Sequence, residues 1–194
     1  MNRLIVGISG ASGVIYGIRL LQFLAEKADL ETHLVLSKPA ERTIVEETDY
    51  RVQDVKALAS AVHGITDIGA SIASGSFQTL GMVIIPCSIH TASSVAYCQS
   101  DNLLTRAADV VLKEGRKLVL VVRETPLHLG HLRLLTAAAE SGAVILPPVP
   151  AFYSRPVTLD EVINHTVGRV LDHFGIEHAM VKRWGEKQAA AELD

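Results

Sequence analysis

Leu4-Ile5-Val6-Gly7-Ile8-Ser9-Gly10-Ala11-Ser12-Gly13 decides the fold of this chain. An apolar run that passes into a glycine-rich turn and then into an amphipathic stretch reads as a buried strand feeding a helix. Such a turn gathers backbone N–H groups and a helix N-terminus at one point, an anion site whose usual guest is phosphate. Glycine at every third position lets the loop lie against a ligand without side chains in the way. The spacing is neither the G-x-G-x-x-G fingerprint of a dinucleotide site nor the G-K-[ST] of a P-loop.

Outward from this loop, short apolar runs at residues 4–8, 32–36, 82–85, 118–122 and 143–146 read as buried strands. Helical spacing fills residues 14–27, 91–96, 103–113, 127–141 and 159–174, and Gly175 stands where a C-cap belongs. This β-α-β rhythm predicts a parallel sheet with right-handed crossovers: an α/β, three-layer Rossmann-like (flavodoxin-like) sandwich. The expected organisation is one domain over residues 1–181 and a polar, alanine-rich tail over 182–194.

Composition agrees with buried parallel strands. Apolar residues make up 48% of the 194, with only 5% aromatic, and mean hydropathy is positive. That excess also points to subunit interfaces. A net charge of −3 gives no electrostatic reason to bind nucleic acid. Two cysteines are too few for a disulfide framework and fit a reducing compartment. No apolar run reaches membrane-spanning length, and the glycine-serine break with Arg19 argues against a leader, so the expectation is a cytoplasmic protein without a membrane partner.

In such sheets ligands sit outside the carboxyl ends of the strands, and the distinctive residues of this chain fall there. The second strand ends in Ser37-Lys38 rather than the acidic residue a dinucleotide ribose requires, so a mononucleotide phosphate fits better. Ser12 either caps the first helix or reaches a phosphate, and Ser88 and Thr91 face the same choice at a second turn. Arg123-Glu124, on the end of a buried strand, must be solvated, paired together or used on a ligand. Arginine offers a phosphate fork and the carboxylate a proton acceptor. Tyr153 follows a proline-rich turn and either meets a ligand or packs, while Arg169 and Lys113 read as solvated helix positions. The eight histidines lack the spacing of a zinc site, and no metal is expected.

Taken together the segments resemble the UbiX-type flavin prenyltransferases. The resemblance rests on Gly10-Ala11-Ser12-Gly13, Ser74-Gly75-Ser76-Phe77, Pro86-Cys87-Ser88, residues 102–110, Val122-Arg123-Glu124-Thr125-Pro126-Leu127, Pro147-Pro148 with Pro150-Ala151-Phe152-Tyr153, and Arg183-Trp184. It runs from about residue 3 to residue 184. It implies an enzyme that joins the dimethylallyl group of dimethylallyl phosphate to N5 and C6 of reduced FMN, making prenylated FMN for a client UbiD-type decarboxylase. It also implies a large homo-oligomer, in many members a dodecamer. By position, Gly10, Ala11, Ser12, Ser37, Ser88, Ile89, His90, Thr91 and Arg123 would hold FMN. Lys113, Arg123, Tyr153 and Arg169 would hold the prenyl phosphate, and Glu124, Ser12 and Glu47 would carry the catalysis. Allylic C–O cleavage develops negative charge on phosphate, which an Arg, Lys and Tyr cluster stabilises.

Ile89-His90 and His131-Leu132-Arg133-Leu134 depart from the family pattern. Ser74–Phe77 and Glu47-Thr48 are similar to the branch that serves aromatic-acid decarboxylases. Two other readings stand beside the transferase: an FMN-dependent cysteine-type decarboxylase and a non-catalytic FMN carrier subunit.

Overall fold

The computed structural model describes residues 2–185. Six strands, β1 (Asn2–Ile8), β2 (Leu30–Leu36), β3 (Ala61–His63), β4 (Gly81–Cys87), β5 (Lys117–Val122) and β6 (Val144–Ile145), form one sheet in the order β3-β2-β1-β4-β5-β6. Every neighbouring pair is parallel, with Val6 opposite Leu34 on one side and Val83 on the other. Because successive side chains alternate, β1 splits its residues between two cores. Leu4, Val6 and Ile8 enter one with α1 (Val14–Ala25), α2 (Lys38–Glu47), α3 (Val52–Lys56) and α7 (Leu159–His173). Ile5 enters the other with α4 (Ile89–Ala96), α5 (Leu103–Lys113) and α6 (Leu129–Glu140). The three-layer α/β sandwich expected from the periodicity is the architecture found.

The strand order reverses between β1 and β4, which makes their carboxyl ends the switch point where open parallel sheets bind ligands. Ser9 bolts the two ends together. Its buried hydroxyl donates to the Pro86 carbonyl at 3.1 Å and accepts the Ser88 N–H at 2.7 Å. A register shift between β4 and β5 falls at Ile84 and Cys87, beside the same turn. Gly175 takes a positive φ of 65°, and the Ile176 N–H reaches the Leu171 carbonyl at 3.2 Å, the C-terminal closure expected of α7.

The periodicity leaves out β3, α2 and α3. Of α2 only Ala40 and Ile44 are buried, so its sequence carries a narrow apolar stripe, and β3 is three residues at the sheet edge. The last strand is also shorter than expected, Val144–Ile145. Within the stretch read as the tail, Arg183 pairs with Asp172 and Trp184 meets Tyr153 edge-on at 5.4 Å. Residues 186–194 of the expected tail lie outside the described residues.

Candidate active site

The carboxyl ends of β1, β2, β4 and β5 open into a cleft of about 620 Å³, within the range of small-molecule sites. Gly10, Ala11 and Ser12 line it from β1, Ser37 and Lys38 from β2, Ser88, Ile89, His90 and Thr91 from β4, and Arg123 and Glu124 from β5. Four helices, α1, α2, α4 and α5, begin at this rim. The N–H groups that the caps of α2, α4 and α5 leave free, and the positive dipole ends there, favour an anion at this mouth.

Local sequence explains each turn. Ser37 caps α2 by accepting the Ala40 N–H at 3.2 Å. Ser88 caps α4 through the Thr91 N–H, also at 3.2 Å, while its hydroxyl donates to Thr91 Oγ1. Both therefore cap and line the cleft. Asn102 caps α5 in the same way. Gly10 is required by close approach: a Cβ there would lie 2.2 Å from that of Pro39 at the start of α2.

Ser12 does not cap α1. The helix begins one residue later, with Gly13 at the N-cap in the left-handed conformation (φ 97°) and no side-chain cap of its own. The vacant role is taken by Glu47 at the far end of α2, whose carboxylate accepts the Gly13 N–H at 2.7 Å and the Val14 N–H at 3.4 Å. The Ser12 hydroxyl, exposed and bonded to nothing among the described residues, is left for a ligand.

Arg123 and Glu124 form no ion pair with each other or with any described residue. The Arg123 backbone N–H continues the sheet to the Cys87 carbonyl at 3.0 Å, and its guanidinium is exposed at the cleft. Among the described residues Glu124 accepts only the Thr125 N–H, at 3.0 Å. Burial raises the Tyr16 phenol above its ordinary range, and the positive charge of Arg123 partly offsets it. Cys87 is fully buried and burial pushes its thiol far up, which keeps it out of thiolate chemistry.

Lys113, Tyr153 and Arg169 do not line this cleft. Lys113 is the last residue of α5, whose other end carries Asn102 and Leu104 at the rim; ten residues of helix put about 15 Å between them. The Tyr153 hydroxyl and His165 Nε2 are 3.1 Å apart. Arg169 pairs with Asp172 at 2.7 Å. Lys38, Pro39, Ile65, Asn102 and Leu104, which carry no site role in the sequence pattern, also line the cleft. The Asn102 cap was visible within residues 102–110; Ile65 follows the unread strand β3. No group of three or more metal-ligating side chains occurs among the described residues.

The flavoprotein family matches residues 1–170. The flavin prenyltransferase UbiX of Escherichia coli K12 is 68% identical over 176 residues, covering 91% of this chain and 93% of that one. The chain belongs to the UbiX flavin prenyltransferase family. Among solved members, AnUbiX (PadA1), in complex with FMN and dimethylallyl pyrophosphate, superposes with a TM-score of 0.93 at 45% identity, covering 96% of this chain and 99% of that one. A dodecameric FMN-dependent UbiX-like decarboxylase from Escherichia coli O157:H7 superposes with a TM-score of 0.92 at 52% identity, covering 94% and 98%. The likeness to UbiX relatives thus extends over nearly the whole chain. No helix among the described residues is long and apolar enough to cross a membrane.

Proposed function

We propose that this chain transfers a dimethylallyl group from dimethylallyl phosphate to N5 and C6 of reduced FMN, yielding prenylated FMN for a client UbiD-type decarboxylase in the cytoplasm. One observation carries the reading: an unpaired arginine and an unpaired carboxylate, Arg123 and Glu124, stand at a cleft onto which four helix N-termini open. Among the described residues nothing neutralises them, so their partners are to be sought in the ligand.

FMN fits this cleft in volume and in charge. Gly10, Ala11 and Ser12 present backbone and one free hydroxyl, and Ser37, Ser88, Ile89, His90 and Thr91 line the cleft from the β2 and β4 ends. Reduced FMN supplies an electron-rich ring able to take up an allyl cation. The protein supplies the rest. Arg123 offsets phosphate charge as the C–O bond of the donor opens. Glu124 accepts the proton released from the ring carbon that gains the new bond, acting together with the departing phosphate. Glu47 holds the α1 N-terminus, and with it Ser12, in place.

Lys113, Tyr153 and Arg169 serve the prenyl phosphate from neighbouring protomers of a homo-oligomer, a dodecamer in this reading. Their separation from the cleft of their own chain supports this, as does exposed apolar surface at Leu129, Leu132, Phe152, Val157 and Leu159. Anaerobic incubation with reduced FMN and dimethylallyl phosphate, followed by mass analysis of the flavin, tests the proposal. A flavin heavier by one C5H8 unit is expected; bound but unmodified FMN overturns it.

A further inference from the structure

Asp172, on the last turn of α7, receives three donors. Arg169 gives one hydrogen bond to Oδ2 at 2.7 Å. Arg183 forks across both oxygens at 2.8 and 3.2 Å. His178 lies 3.0 Å from Oδ1. The Met180 N–H donates to His178 Nδ1, so the proton facing Asp172 is carried on Nε2. His178 is buried to all but 1% of its side chain. It lies against Gly168, where a Cβ would come within 2.8 Å of its ring and 2.3 Å of Val181. The segment after α7 is therefore seated on that helix by shape as well as by charge. Burial alone would raise the Asp172 carboxyl, but the bonds from Arg183 and His178 outweigh it and hold it at about 2.

The two ends of this arrangement converge on the same pair of residues. Arg183 shares its carboxylate with Arg169, and the next residue, Trp184, packs edge-on against Tyr153. Arg169 and Tyr153 are two of the three side chains proposed to serve the prenyl phosphate from a neighbouring protomer. We propose that Asp172 is a positioning residue that sets Arg169 and the Arg183-Trp184 segment together, so that taking up a phosphate monoester and seating the segment are coupled. This rests on the functional reading of Arg169. The physical reason is exchange of partners: a dianionic phosphate draws Arg169 away, and Asp172 is not stranded because the Arg183 fork and His178 remain on it. A carboxylate with Arg169 as its one strong partner would hold that arginine back.

Trp184 is the only tryptophan of the chain, so its fluorescence anisotropy reports on the segment alone. In the FMN-loaded protein, Asp172→Asn should lower that anisotropy and raise the KM for dimethylallyl phosphate about tenfold, with kcat and FMN affinity within about twofold. Asp172→Glu should recover part of both. Arg183→Gln should free Trp184 and also raise KM, because Arg169 is then held more tightly by Asp172; Arg169→Gln should raise KM and leave Trp184 ordered. A raised KM with unchanged Trp184 in Asp172→Asn overturns the coupling, and so does freed Trp184 with unchanged KM. Should Asp172→Asn fail to fold, the same two outcomes in Arg183→Gln decide. Absence of prenyl transfer in the unsubstituted protein would sink the functional reading instead. The coupling is then judged from whether dimethylallyl phosphate alters Trp184 anisotropy in the unsubstituted protein and not in Asp172→Asn.

Discussion

The Glu47 carboxylate accepts the Gly13 N–H at 2.7 Å, so the last residue of α2 caps the first turn of α1. An acidic group at a helix N-terminus is stabilised by the free N–H groups and by the dipole. Here it also fixes the loop that carries Ser12 into the cleft.

Glu47→Ala should therefore cost about 0.5–1 kcal/mol of stability, the value of an exposed cap. It should also weaken FMN binding, since the phosphate loop loses its anchor. Chemical denaturation and a flavin titration on the same samples check both. Full FMN affinity after the loss of the cap would show that the loop holds its shape unaided.

Glu124→Gln keeps the side-chain volume and the acceptor for the Thr125 N–H but removes the base. Turnover should fall about 10²- to 10³-fold while FMN affinity stays unchanged. Single-turnover kinetics on flavin-loaded protein separate these. An FMN carrier with no chemistry of its own would be indifferent to the change.

Gly10→Ala would place a Cβ 2.2 Å from that of Pro39. The contact is with a ring rather than a flexible side-chain tip, so the start of α2 must move. A cost of about 1–3 kcal/mol is expected from the overpacking, together with weaker FMN binding, read by thermal unfolding with and without the flavin.

Stability should fall as the solution is acidified below pH 6.5. Burial lowers the pKa of His33 and His63, whose ring nitrogens are 2.9 Å apart, and burial lowers those of His165 and His173 as well. A histidine with a depressed pKa in the folded state stays neutral while its unfolded counterpart takes up a proton. Its contribution is thus intact above the ordinary value of 6.5 and is lost as pH falls toward the folded-state value. Denaturant midpoints between pH 7.5 and pH 5 should trace this slope, and His63→Gln should flatten it.

Much of the cleft was legible because its signals are local. Residues 4–13 carry strand, turn and helix start within one window, and Ser37, Ser88 and Asn102 each precede the helix they cap. Arg123-Glu124 stood out because charge on the end of a buried strand needs an explanation. Whether the two paired with each other was not local, and the structure keeps them apart. Strand β3 escaped notice because three residues at a sheet edge give no period, and Ile65 was lost with it. That Ser12 does not cap α1 was not legible, because the competing carboxylate, Glu47, lies 34 positions from the Gly13 N–H it binds.

Periodicity, turn chemistry and strand-end residues determined by themselves the layered α/β fold and the glycine-rich loop at its switch point, since their signals lie between near neighbours in the chain. Only the tertiary structure decided which cations are already paired. Arg123 is left open to the cleft, whereas Arg169 lies on Asp172 with Arg183 and His178. Ion pairing depends on the positions of charges across separate elements, and a strand end, a helix and a chain-terminal segment acquire those positions only when the sheet is covered.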